Sequence, residues 1–185
     1  MSGRARIEFR VLRETIASRG TSRPIVALAG IAAWAALLVA VMVWLPYPLM
    51  SVVPLLVLVT SFEVIRTLHF GSERLGRYIQ VFHEEAGDHD EPAVLSPGSW
   101  ERVAMAVGPA VPGAAGHPLF VPIFLAATAA NFLAVMRPGP SPVEMGAMAA
   151  VHFGLLAWLI RADRAMRSQR ATELARFREL AGRRK

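Results

Sequence analysis

Charged and apolar positions are segregated along this chain. Four stretches, 24–45, 49–62, 119–136 and 145–160, contain no Asp, Glu, Lys or Arg. An element of a soluble fold shows one face to water and so scatters charge along its length. These runs have no such face. About 20 apolar residues are needed to cross the hydrocarbon of a bilayer as a helix, and the pattern predicts four such spans. The first covers 24–45 and ends at Pro46-Tyr47-Pro48, where two prolines break the helix. The second covers 49–68. The third, 118–136, is followed by the turn 137–142. The fourth, 143–160, is short, with Glu144 and Arg161 placed to snorkel to the two interfaces.

The fold class read from this pattern is an all-α integral membrane protein, its four transmembrane helices arranged as two hairpins. The predicted organisation is a basic amphipathic segment at 1–23, a first hairpin at 24–68 and a connection at 69–117. A second hairpin at 118–160 and a basic tail at 161–185 follow. Within the connection an amphipathic helix is expected at 72–86 and an acidic loop at 84–91. Residues Leu75, Tyr78, Ile79 and Phe82 fall at helical spacing beside a polar strip of Arg74, Arg77 and Gln80. In the N-terminal segment Ala5, Phe9, Leu12 and Ile16 share a face, which suits a helix lying on an anionic leaflet. The tail is expected to continue the fourth span as a helix.

Composition supports the membrane class: 54% of the 185 residues are hydrophobic. All but one of the 20 basic residues are arginine, a bias read as that of a GC-rich bacterial genome. The net charge of +6 is assigned to topology and not to nucleic acid. Basic residues crowd the two ends, whereas the two hairpin turns together hold only Arg137. The positive-inside rule then places both termini, and the 69–117 connection, on the cytoplasmic side of a bacterial inner membrane. The first apolar run is too long for the core of a signal peptide and lacks a small-residue cleavage site, so it is read as an uncleaved span.

Spans one and three look related. At an offset of 94 residues, ten of 25 positions match, Pro24 with Pro118 and Ala40-Val41-Met42 with Ala134-Val135-Met136 among them. Either a parallel repeat or shared membrane composition accounts for this. Small residues recur every fourth position on three faces: Ala32, Ala36 and Ala40; Ala126, Ala130 and Ala134; Gly146, Ala150 and Gly154. Such faces let helices approach closely in lipid and are candidate interfaces, within one chain or between chains.

Candidate chemistry concentrates in 61–85. Glu63 falls a turn or two below the inner interface, where ionisable groups are costly and tend to have partners. Arg66, His69, Glu73 and Arg77 follow at helical pairing distances, making a candidate polar cluster. His83, Glu84, Asp88 and His89 form a weak metal-ligand set, because their spacing matches no ordered site. No cofactor is predicted, and a divalent metal is only the minor reading. Asn131 and His152 are the polar residues inside spans three and four, and a lone intramembrane His more often bonds a neighbouring helix than relays protons. There is no cysteine, so disulfide and thiolate chemistry are excluded, and no phosphate loop or nucleophile motif occurs.

Three functions fit. The first is an accessory or scaffold subunit that docks on other membrane subunits or associates with itself. The second is a small oligomeric transporter or channel using Glu63. The third is a lipid-modifying enzyme at the inner interface. The first is preferred, and the enzymatic reading is the least favoured of the three.

Overall fold

The computed structural model describes residues 3–45, 47–84, 119–136 and 139–183. Among these residues every regular element is helical and no strand occurs. The α-helices are α1 Gly3–Trp44, α2 Val52–Ile79, α3 Val121–Met136 and α4 Pro142–Gly182. A 3-10 turn, Pro48–Ser51, leads into α2, and a π-helical turn, Gln80–Glu84, carries it onward. The predicted second span therefore continues as helix well past residue 68. The connection after Glu84, with the acidic loop, lies outside the described residues.

Helices α1, α2 (with its flanking turns) and α4 are long and apolar enough to cross a membrane. Helix α3 is apolar but has 16 residues, about 24 Å of rise against a hydrocarbon core of about 30 Å. It begins at Val121, three residues later than the span expected from 118.

Helix α1 runs through the basic segment 1–23 and the first apolar run as 42 continuous residues, with Pro24 inside it. A proline costs an interior helix one N–H donor and crowds the carbonyl four residues back. Here that residue is Gly20, and the next residue, Thr21, donates its hydroxyl to Ala17 O at 3.0 Å.

The chain divides into two compact units. The apolar unit gathers Ser22–Thr67 and His117–Ala165. Its centre is Phe62 of α2, which meets Phe124 of α3 edge-on at 5.4 Å and Trp158 of α4 edge-on at 5.1 Å. Leu55, Leu58, Ile65, Val135 and Leu159 complete this interior. Helix α1 is peripheral to it. Ile25, Leu28, Val39 and Val43 are all exposed, whereas Ala27, Gly30 and Val41 are buried. At the first hairpin Trp44, Leu45, Tyr47 and Leu49 form an exposed apolar and aromatic patch.

The fourth helix starts with a capping box. Ser141 Oγ accepts from Glu144 N at 3.3 Å, and Glu144 Oε2 accepts from Ser141 N at 2.9 Å, satisfying two helix-terminal donors. Pro142 occupies the first helical position, where no donor is needed. Glu144 thus folds back onto its own helix start instead of reaching outward.

Small residues outside the three expected faces bring α1 and α2 together. A Cβ on Gly30 would lie 2.2 Å from Ser61 Oγ and 2.5 Å from Ser61 Cβ. Ala32, Ala36, Ala126, Gly146, Ala150 and Gly154 are instead exposed, with open space around Gly146 and Gly154. Ala40 and Ala130 are half-buried, and Ala134 is buried. Gly30→Ala is expected to destabilise the unit by about 1–3 kcal/mol through overpacking. Adding Ser61→Gly, which removes both crowded atoms, should restore most of that loss. Thermal unfolding of the two variants in detergent checks this, and a double variant as unstable as Gly30→Ala would refute the close approach.

Candidate functional site

The polar unit gathers Met1–Thr21, Leu68–Gly116 and Met166–Lys185. Its organising group is Arg77, only 2% exposed. An arginine cannot lose its charge in a protein, so burial demands anionic partners. The guanidinium donates through Nη2 and Nε to Glu173 Oε2 at 2.6 and 3.0 Å, and through Nη1 to Glu73 Oε2 at 3.2 Å. Glu173 Oε1 accepts from Gln169 Nε2 at 2.6 Å and Arg74 Nη2 at 3.1 Å. Burial, the largest influence on the Glu173 carboxyl, pushes its pKa up, but bonds from Gln169, Arg77 and Arg74 together outweigh it and hold the pKa below the usual value. The result is a charge cluster joining α2 to α4.

Beside it lies an aromatic cluster. Tyr78 and Phe82 stack edge-on against Phe177 of α4 at 6.2 and 6.3 Å. Tyr78 OH donates to Glu8 Oε1 on α1 at 2.9 Å. His83 packs near Phe9 and Tyr78, with its side chain 7% exposed and Nε2 3.9 Å from Glu8 Oε1. The amphipathic helix expected at 72–86 therefore has part of its apolar face occupied by its own chain. Of its polar strip, Arg77 and Gln80 are buried and Arg74 is exposed.

The candidate cluster of Glu63, Arg66, His69, Glu73 and Arg77 is divided between the two units. Glu63 accepts from Arg66 Nε at 2.9 Å in the apolar unit. The Glu73–Arg77 pair belongs to the polar unit, as does the buried His69. Of the weak metal set, Asp88 and His89 lie outside the described residues. No group of three or more His, Cys, Asp or Glu side chains placed to hold a metal ion occurs among the described residues.

Inside the apolar unit the two polar residues of the expected third and fourth spans meet. Asn131 on α3 is fully buried and donates from Nδ2 to Ser51 O at 2.9 Å and to His152 Nε2 at 3.0 Å. Its Oδ1 accepts from Trp34 Nε1 at 3.1 Å. An indole nitrogen only donates, so this contact fixes the orientation of the amide. His152 Nδ1 lies 2.7 Å from Met148 O. That carbonyl can only accept, so Nδ1 carries the proton and Nε2 is the acceptor facing Asn131. Every strong donor and acceptor of the Asn131 and His152 side chains is thereby engaged, apart from spare acceptor capacity on Oδ1. The network draws on α1, the 3-10 turn before α2, α3 and α4.

Comparison with protein-family models, with curated proteins and with solved structures finds no match.

Sequence reasoning singled out Asn131, His152, Glu73 and Arg77 but missed Trp34, Ser51, Gln169 and Glu173. Trp34 and Ser51 look like ordinary apolar-run residues. The usable signal in the tail was that Gln169, Glu173 and Phe177 recur every fourth position and so share one face.

Proposed function

We propose that this chain is a small multi-pass membrane protein of the bacterial cytoplasmic membrane, with both termini cytoplasmic, acting as an accessory or scaffold subunit of a membrane complex. Membrane insertion is supported by three long apolar helices and by the large apolar side chains the apolar unit turns outward, Leu28 at 74% and Phe153 at 64% exposed among them. The short α3 is the fourth span of this reading, with Leu119 and Phe120 extending its apolar length.

The observation that carries the subunit reading is how the buried Asn131, His152 and Arg77 side chains are spent. Asn131 and His152 are engaged with Trp34, Ser51 and Met148, and Arg77 is engaged with Glu173 and Glu73. A transport pathway or a catalytic centre needs polar groups with capacity left for a substrate. Glu63, on which a transport reading rests, is held by Arg66 of its own helix. In the apolar unit, α4 leaves open a face of small residues, Gly146, Ala150 and Gly154. Such faces suit close approach by other membrane helices.

The native mass of the protein, released gently from its own host membrane, tests this. Unrelated polypeptides at fixed stoichiometry are expected. Copies of this chain alone, together with a transport or lipid-modifying activity that Glu63→Gln abolishes, would overturn the reading.

A further inference from the structure

Arg19 differs from the other half-buried or buried arginines of the polar unit. Arg77 is neutralised by carboxylates, and the Arg13 guanidinium lies 5.2 Å over the Phe9 ring. The Arg19 side chain is half-buried, yet no hydrogen bond or ion pair reaches it among the described residues. Its guanidinium rests against Gly71 of α2, so closely that a Cβ there would lie 2.2 Å from Nη1. Gly71 thus forms a notch that seats a charged fork without neutralising it. Glu73, two residues further along α2, is engaged by Arg77.

Position along the chain gives the notch a setting. Arg19 lies five residues before the uncharged run that begins at Pro24 on the same continuous helix. That is about 7.5 Å of helix rise. Headgroups add about 5–8 Å to each side of the hydrocarbon core. In the membrane arrangement proposed above, the guanidinium stands at the level of lipid phosphates. A planar guanidinium matches a phosphate with two parallel N–H···O bonds, which an ammonium cannot reproduce.

We propose that Arg19, seated in the Gly71 notch, is a binding subsite for the phosphate of an anionic membrane lipid. This rests on the membrane reading and adds a specific ligand group to it. The glycine is what leaves room for the fork against α2. An alanine would displace the guanidinium at little cost to the fold, since the crowded atoms are the far end of a flexible side chain.

The test uses the full chain in nanodiscs of phosphatidylethanolamine, with and without phosphatidylglycerol, and native mass spectrometry to titrate retained phosphatidylglycerol. Arg19→Gln is expected to weaken retention about tenfold, the loss of roughly one charge-assisted contact. Gly71→Ala should produce a similar loss, the double variant no greater loss, and Arg19→Lys an intermediate one. Should Arg19→Gln fail to fold, Gly71→Ala carries the same comparison. Wild-type retention by both Arg19→Gln and Gly71→Ala would overturn the subsite. Inorganic phosphate displacing the lipid at matched concentration would overturn the lipid as its source. A wild-type chain that does not enter the discs would overturn the membrane reading, and the subsite with it.

Discussion

Asn131→Leu is expected to be among the most destabilising single substitutions in the apolar unit, at about 3–5 kcal/mol. Leucine fills the same volume and suits an apolar interior, so burial alone would forecast a neutral or stabilising change. The hydrogen bonds decide otherwise. Asn131 serves Trp34 Nε1, Ser51 O and His152 Nε2, three groups contributed by three different elements. Hydrogen bonds between membrane helices average about 0.6 kcal/mol each. Leaving a buried donor or acceptor without any partner costs more, about 1–3 kcal/mol per group. Asn131→Asp separates these terms. Its carboxylate can still accept from the Trp34 indole, but its second oxygen would face Ser51 O and His152 Nε2, both acceptors. Aspartate should therefore fold poorly near neutral pH despite its near-identical shape. Thermal unfolding in detergent, with Trp34 fluorescence as a local reporter, measures both. Thr60→Val is the control, since Thr60 Oγ1 bonds only Leu56 O of its own helix at an exposed position, and should change stability by under about 0.5 kcal/mol. Asn131→Leu matching that control would refute the network.

The all-α character and the long apolar runs were legible because both are local. Charge-free runs and proline turns act through residues adjacent in the chain, and the helices begin or end close to them. The fate of the small-residue faces was less legible. A four-residue repeat says a face can be approached, but not that anything approaches it. Helices α1 and α2 meet through Gly30 and Ser61, which belong to none of the anticipated stripes. The polar sites show the same division. Pairs within one helix, Glu63 with Arg66 and Glu73 with Arg77, could be written down from spacing alone. Asn131 and His152 stood out because polar residues in an apolar run need partners. Their partners did not stand out: Trp34 is 97 residues away from Asn131 and Ser51 is 80. Likewise Arg77 could be paired with Glu73 from spacing, but nothing local to it announces Glu173, 96 residues on.

That distant pair yields the other large effect. Glu173→Leu is expected to cost about 3 kcal/mol, because among the described residues it leaves the buried Arg77 charge with Glu73 as its only remaining carboxylate. The cost comes from stranding a charge and not from the attraction itself, so replacing both members, Arg77→Leu with Glu173→Leu, should lose less than Glu173→Leu alone. Exchanging them, Arg77→Glu with Glu173→Arg, should recover only part of the loss. The new acid at 77 would stand one turn from Glu73, and the new arginine would meet Gln169 and Arg74, which now donate to a carboxylate. Acid should imitate the single substitution. The Glu173 carboxyl is held below its ordinary value of 4.5 in the folded chain, so its contribution is fully present above that pH and is lost as pH falls through the lower folded value. Melting temperatures of the full chain measured from pH 7 to about pH 3 should therefore decline at the acid end, and Glu173→Gln should flatten part of that decline. A decline of equal depth in both proteins would mean that other carboxylates, not this cluster, govern the acid response. A flattened curve would show that one carboxylate from the tail holds α4 to α2 in the polar unit, and that this attachment is strongest at neutral pH.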